Sequence, residues 1–228
     1  MSEPPRILII DDDPHIREVI RIALESQGMR ILEAANGRGA LTVLARSRAD
    51  LVVLDIGMPE MDGFAVCRAI RAGSDVPVLF LTAQDEEVDR LLGFELGADD
   101  FVGKPFSARE LTLRIRAILA RGRPGPEAAL THGALTLVPA RHEARIGAAP
   151  LRLTATEFAL LAALLRHPGQ LFDRNRLIDA VYGGHAHLSG RTVDSHLRNI
   201  RAKAAALGCG TVVETVHGVG VRLGPCLV

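Results

Sequence analysis

Ile7-Leu8-Ile9-Ile10-Asp11-Asp12-Asp13 and Leu51-Val52-Val53-Leu54-Asp55-Ile56-Gly57-Met58-Pro59 decide how the first half of the chain is read. In each, four consecutive apolar residues run straight into carboxylates. A short uninterrupted apolar run fits a strand buried on both faces, as in a parallel sheet. Two more runs follow the same plan: 76–81 ends at Thr82, and 101–102 leads through Gly103 to Lys104. A further strand is predicted at 30–34. Helical spacing is predicted over 14–27, 37–46, 63–71, 86–96 and 108–121, with Asp13-Pro14 as N-cap and first-turn proline of the first helix. Strand and helix alternate five times, which predicts a (βα)₅ unit of α/β class with helices on both faces of a parallel sheet.

In an open parallel sheet the carboxyl ends of all strands share one edge, and ligands bind there. Asp11, Asp12, Asp55, Thr82 and Lys104 all fall on that edge. Three carboxylates, a hydroxyl and an ammonium suit a hard cation such as Mg²⁺ beside a phosphoryl group. The lysine is informative because the chain has 25 Arg and only 2 Lys, Lys104 and Lys203. A compact, flexible point charge is retained where a planar guanidinium does not serve.

Each of these residues also has a plainer reading taken singly. An aspartate after a strand often caps a helix, Asp55 can open a turn, Thr82 suits a strand, and a phenylalanine at 101 suits a core. The coincidence of compatible groups on one edge favours a site.

A composition of 48% hydrophobic and 24% charged residues is that of a globular chain, and 228 residues suit two domains better than one. The net charge of zero hides an asymmetry. Residues 1–121 hold 20 acidic against 15 basic residues, net −5; residues 122–228 hold 7 against 12, net +5. A basic second half suggests a nucleic-acid partner. Cys67, Cys209 and Cys226 have no metal-ligand spacing, and an odd count without a secretory segment predicts a cytoplasmic protein with reduced thiols. No apolar run approaches the length of a membrane span.

The Pro/Gly stretch 122–129 reads as a linker between a first domain over 1–121 and a second over 130–228. Residues 130–153 alternate in short pieces at 134–137, 143–146 and 151–153, predicting a small antiparallel sheet. Thr154 and Glu157 form a capping box for a helix through 166. Helices are predicted at 174–181 and 190–206, then a hairpin from 212–216 and 221–223. Three helices and a hairpin outline an α+β winged helix-turn-helix.

Residues 6–121 closely resemble the receiver domain of bacterial two-component response regulators. The carriers are Ile9-Ile10-Asp11-Asp12-Asp13, Leu54-Asp55-Ile56-Gly57-Met58-Pro59 with Asp62-Gly63, Leu81-Thr82-Ala83, and Gly97-Ala98-Asp99-Asp100-Phe101 leading to Lys104-Pro105-Phe106. The resemblance implies that Asp55 accepts phosphate from a sensor histidine kinase. It implies that Asp11, Asp12, Asp55 and the Gly57 carbonyl bind Mg²⁺, that Lys104 contacts the phosphoryl group, and that Thr82 and Phe101 form a switch pair. Gly103 departs from the pattern, which usually has a larger residue before the lysine.

Residues 130–224 resemble the winged-helix effector of the OmpR/PhoB subfamily, through 153–161, Arg174 to Gly183, Arg191-Thr192-Val193-Asp194-Ser195-His196-Leu197-Arg198, and Thr215-Val216-His217-Gly218-Val219-Gly220-Val221-Arg222. By this likeness the third helix enters the major groove and the hairpin follows the backbone. Arg191, Thr192, His196, Arg198, Asn199, Arg201, His217 and Arg222 become the expected DNA contacts, and RNA polymerase an expected partner. Tyr182 and Val221 stand where the subfamily more often has aromatic alternatives. Phosphorylation is expected to drive homodimerisation through a charged face carrying Arg90, Asp99, Asp100, Glu110, Arg114 and Arg121. Arg90 is to meet Glu110 of the second copy, and Asp99 and Asp100 are to meet Arg121 and Arg114.

Together these features predict a phosphorylation-controlled transcription factor rather than an enzyme, beyond its own phosphorylation and dephosphorylation. A Mg²⁺-dependent aspartyl-phosphate phosphohydrolase is the first rival, although it typically carries a second acid where Gly57 stands. A nucleotide-binding α/β domain is a second, but no glycine-rich phosphate loop follows residues 7–10. A second half that binds only protein is a third, separable by salt-dependent DNA binding.

Overall fold

The computed structural model describes residues 3–83, 92–121, 128–182 and 190–227. The chain divides into two compact units, Met1–Leu119 and Ala120–Val228. No helix among the described residues is long and apolar enough to cross a membrane.

The first unit is built on five parallel strands: β1 (Arg6–Ile10), β2 (Arg30–Ala34), β3 (Leu51–Asp55), β4 (Val78–Thr82) and β5 (Asp100–Gly103). Their order is β2-β1-β3-β4-β5, with β1 and β3 adjacent through Ile7↔Leu51 to Ile10↔Leu54. Residues 51–54 and 78–81 are fully buried, as continuous apolar runs require when helices cover both faces. The covering helices are α1 (Pro14–Glu25), α2 (Gly37–Arg46), α3 (Gly63–Arg71) and α4 (Ala108–Arg121). Residues 92–95 are also helical; the rest of the helix expected from residue 86 lies outside the described residues.

Local chemistry starts these helices. Asp13, Asn36 and Asp62 each accept a backbone N–H of the first turn, from His15, Gly39 and Ala65. The first helix ends at Glu25, short of residue 27, as Gly28 turns the chain with φ +77°. β4 starts at Val78 instead of residue 76, because Pro77 has no N–H and the Val76 carbonyl is taken by Arg71 Nη1 at 2.6 Å.

The second unit begins with an antiparallel sheet of β6 (Leu130–His132), β7 (Leu135–Val138), β8 (Glu143–Ile146) and β9 (Ala149–Pro150). The strand expected at 151–153 does not form. The turn at Gly147 (φ +55°) pairs β8 with Ala149 and Pro150 at once, and Leu151 and Leu153 instead enter the core. Three helices follow, α5 (Ala155–Arg166), α6 (Arg174–Tyr182) and α7 (Gly190–Ala205), then the hairpin β10 (Val213–Val216) and β11 (Gly220–Leu223). The Thr154–Glu157 capping box is formed in both directions. Phe172 and Val221 exchange backbone hydrogen bonds at 2.8 and 2.9 Å, fastening the hairpin to the loop before α6. This is a winged helix.

Candidate functional site

Four neighbouring strands deliver the site of the first unit. Asp11 follows β1, Asp55 ends β3, Thr82 ends β4 and Lys104 follows β5, so the parallel order gathers them on the carboxyl edge. Carboxylate oxygens of Asp11, Asp12 and Asp55 lie within 4.8 Å of one another. Asp11 and Asp55 are buried and Asp12 is exposed, which leaves one side open for a ligand. Lys104 Nζ closes the other side, 2.7 Å from Asp55 Oδ1 and 2.8 Å from Asp11 Oδ2. The Lys104 N–H donates to the Thr82 carbonyl at 2.6 Å, tying the lysine's backbone to the neighbouring strand end.

Burial pushes the Asp55 carboxyl above its ordinary pKa; Lys104 pulls it down, while Asp11 and Asp12 push it up again. Burial would lower Lys104, but its bonds to Asp11 and Asp55 outweigh it and raise its pKa, so the ammonium stays charged. Two or three carboxylates crowded beside one cation call for more positive charge. A hard divalent cation with retained waters fits that donor set. A Cβ at Gly57 would sit 3.7 Å from Asp55 Oδ2, so the backbone there runs beside the free side of the carboxylate. Gly63 is a tighter constraint: a Cβ would meet the Asp55 carbonyl at 2.4 Å, so only glycine lets α3 start this close.

Thr82 is buried at its strand end. Phe101 is wholly buried, with its ring centroid 5.1 Å from Phe80 and 4.7 Å from Phe94. The aromatic expected to act as a switch is therefore already inside.

The expected charged face is only partly a face. Asp99 is fully buried and accepts from the Val78 N–H at 3.0 Å and Arg71 Nη2 at 3.5 Å, so it locks β4 to β5 and presents nothing to a partner. Asp100 is also buried and pairs with Arg114 of its own chain through both oxygens at 3.2 Å. Arg114 further binds Glu110 at 3.0 Å, one turn away. Burial would lower the Arg114 pKa, but Asp100 and Glu110 outweigh it. β5 is the sheet's edge strand, yet Arg71 at the end of α3 reaches Asp99 and Arg114 of α4 reaches Asp100. Glu110 and Arg121 lie on α4, and Arg90 lies outside the described residues.

In the second unit, Arg198, His217 and Arg222 are exposed and Asn199 is half-exposed. Thr192 and His196, also expected at DNA, are buried, at 3% and 0% exposure, and present little surface to a ligand in this structure. Arg201 is turned onto the wing, donating through Nε to the Val213 carbonyl at 2.9 Å and through Nη2 to Thr215 Oγ1 at 2.7 Å. Its burial lowers its pKa, only partly offset by Asp194. Arg222 pairs with Glu214 across the hairpin at 2.8 Å. The Arg191 side chain lies outside the described residues.

Several contributors escaped sequence reasoning. Arg17 donates to the main-chain oxygens of Asp11 (2.7 Å) and Asp12 (3.2 Å), holding the acidic loop from α1. Lys203, a third exposed, is held inward at its tip, where Nζ lies 2.6 Å from the fully buried Glu157 carboxylate. Both lysines of the chain thus pair with buried carboxylates, a pattern their rarity could have signalled.

A parallel five-strand sheet with this acid–lysine edge, followed by a winged helix, defines a receiver joined to a DNA-binding effector. Residues 7–116 match the response regulator receiver domain, and residues 148–223 match the C-terminal domain of transcriptional regulatory proteins. The chain is 41% identical over 225 residues to the response regulator MprA of Mycolicibacterium vanbaalenii, covering 96% of this chain and 97% of that one. It is 40% identical over 220 residues to the phosphate regulon transcriptional regulatory protein PhoB of Pseudomonas aeruginosa, covering 95% and 96%. Among solved structures it is similar to the response regulator DrrB, an OmpR/PhoB homologue of Thermotoga maritima, at 26% identity and TM-score 0.53 over 97% of this chain and 99% of that one. The chain belongs to the OmpR/PhoB-type response regulators, the DNA-binding transcriptional regulators of two-component systems.

Proposed function

We propose that Asp55 is the residue phosphorylated by a cognate sensor histidine kinase in the cytoplasm, with Mg²⁺ held by Asp11, Asp12, Asp55 and the Gly57 carbonyl. The observation that carries this reading is Lys104 Nζ bridging Asp55 and Asp11 at 2.7 and 2.8 Å beside the acid trio. An Asp55 oxygen attacks phosphorus as the bond to the kinase imidazole breaks, giving an acyl phosphate. When bound, the metal ion neutralises charge on the transferring oxygens. Lys104 does the same from the opposite side, and the Thr82 hydroxyl donates to one phosphoryl oxygen. Hydrolysis of the acyl phosphate at the same site returns Asp55 to its free state.

The signal leaves through Thr82 and Phe101, which stand on adjacent strands, and phosphorylation favours a homodimer through α4, β5 and the segment 86–96, of which residues 92–95 are helical. Leu113 and Leu92 are exposed apolar side chains on those elements, at 57% and 39%. With Asp99 and Asp100 committed within the chain, Glu110 and Arg90 carry the cross-subunit charge pairing. Arg198, Asn199, His217 and Arg222 contact promoter DNA together with Arg191, and RNA polymerase reads the bound dimer.

Incubation with acetyl phosphate and Mg²⁺ should label wild type and not Asp55→Asn. Labelling unchanged in that variant overturns the assignment. Arg198→Ala should weaken DNA binding, with log K falling against log salt at a slope of roughly −3 to −4 per subunit for about four neutralised phosphates. A slope near zero would remove the wing and third helix from the interface.

A further inference from the structure

Cys209 and Cys226 are joined by a disulfide, with Cα atoms 5.3 Å apart, in a unit whose sequence offers no disulfide pattern. They are 17 residues apart, and the loop they close contains the whole wing. Cys209 follows the turn that ends α7, and its N–H donates to the Ala204 carbonyl at 2.9 Å. Cys226 follows β11, and its carbonyl accepts the Ala134 N–H at 2.8 Å. A Cβ at Gly133 would lie 2.3 Å from that carbonyl, so glycine, at φ +58°, admits the strand end here. Thr211 Oγ1 donates to the Pro225 carbonyl at 2.6 Å, and the Gly224 N–H donates to Val212 at 3.0 Å. The two cysteines are therefore brought together by bonds that do not involve sulfur, and both are buried in the core of the unit.

We propose that this pair is a redox-responsive clamp at the base of the wing. Closing it removes two protons and two electrons from the Cys209 and Cys226 thiols and forms the Sγ–Sγ bond. A low-molecular-weight disulfide such as oxidised glutathione accepts them, its own S–S bond breaking to two thiols. Excess thiol reverses the exchange. The flanking Pro225 and Leu227 are exposed, so local opening of this segment gives the reagent its path. When closed, the bond ties the end of the DNA-reading helix to the end of the second wing strand. Reduction leaves the wing held by its ladder, by the Phe172–Val221 bonds and by Arg201, with a wider range of positions. A binding element that must be ordered on contact binds more weakly than one ordered beforehand. The clamp is independent of the chemistry at Asp55.

The full-length, unphosphorylated protein is equilibrated with graded ratios of reduced to oxidised glutathione, quenched in acid, unfolded, and treated with an alkylating reagent. Peptide mass spectrometry should find Cys67 alkylated at every ratio and Cys209 linked to Cys226 under oxidising ratios only. Binding to a mixed-sequence duplex at low salt should weaken about threefold to tenfold on reduction. Cys67→Ser should respond as wild type does. A protein carrying both Cys209→Ser and Cys226→Ser should hold the reduced affinity at every ratio; should it fail to fold, the wild-type titration decides alone. All three cysteines alkylated at every ratio, or equal DNA affinity in the two forms, overturns the proposal.

Discussion

Phe101 occupies the space that a side chain on Gly93 would fill: a Cβ there would lie 2.2 Å from Phe101 Cζ and 3.1 Å from Phe80. The inward place of the aromatic thus depends on glycine in the helix opposite. Gly93→Ala should destabilise the first unit by about 1–3 kcal/mol through overpacking, measured by urea unfolding. Gly73→Ala, with nothing within 4 Å of its Cβ, is the control and should change stability little. Equal stabilities would show that Phe101 yields freely.

Asp55 leads to a pH-dependent prediction. Its folded pKa is raised above the ordinary 3.8, chiefly by burial. Such a carboxyl binds its proton more tightly in the folded state, so its ionisation removes stability as pH rises from the unfolded pKa through the folded one. Without divalent cation, Asp55→Asn should therefore melt above wild type at neutral pH, and the gap should shrink toward pH values at which both states of wild type are protonated. Mg²⁺ should also narrow the gap, since it stabilises wild type selectively. A gap that widens toward acid would contradict this.

Arg17 fixes the acidic loop through the Asp11 and Asp12 carbonyls. Arg17→Ala should weaken Mg²⁺ binding about tenfold, the low end for a residue supporting metal ligands, measured by titration calorimetry. Glu33→Gln weakens the surface pairs that Glu33 makes with Arg17 and with Arg21, leaves the bonds to the Asp11 and Asp12 carbonyls, and should alter Mg²⁺ affinity little. Loss of equal size in both variants would assign the effect to surface charge.

Lys203 pairs with a fully buried carboxylate although its own side chain is a third exposed. Lys203→Met takes a charged partner from the buried Glu157 carboxylate and should lower stability in denaturant unfolding of the second unit. The salt dependence of DNA binding should be unchanged, because the ammonium faces the core. A shallower salt slope with unaltered stability would place Lys203 on DNA instead.

Much was legible from local pattern. Apolar runs four residues long, ended by acids and separated by amphipathic helices, determine a parallel sheet. A parallel sheet determines that Asp11, Asp55, Thr82 and Lys104 share an edge, because every strand points the same way. The Thr154–Glu157 box and the Asp13 cap were readable for the same reason, each being formed within one turn. Periodicity also assigns a helix its apolar stripe, and Val193, Leu197, Ile200 and Ala204 are buried as that stripe requires.

What the tertiary structure decided is how wide each buried surface becomes and which groups meet across it. Helix α7 is covered from both sides of its stripe, so Thr192, Ser195 and His196 are buried beside the apolar residues, and the polar face is narrower than the sequence suggests. Asp99 and Asp100 look like surface charge in sequence, yet they meet Arg71 and Arg114 from elements 28 and 14 residues away. Lys203 meets Glu157 across 46 positions, and Cys209 meets Cys226 because the chain after the hairpin returns beside Val212 and Ala134. Local spacing orients a side chain about its own axis. The partner it finds there depends on packing between distant segments, and that is settled only when the core closes.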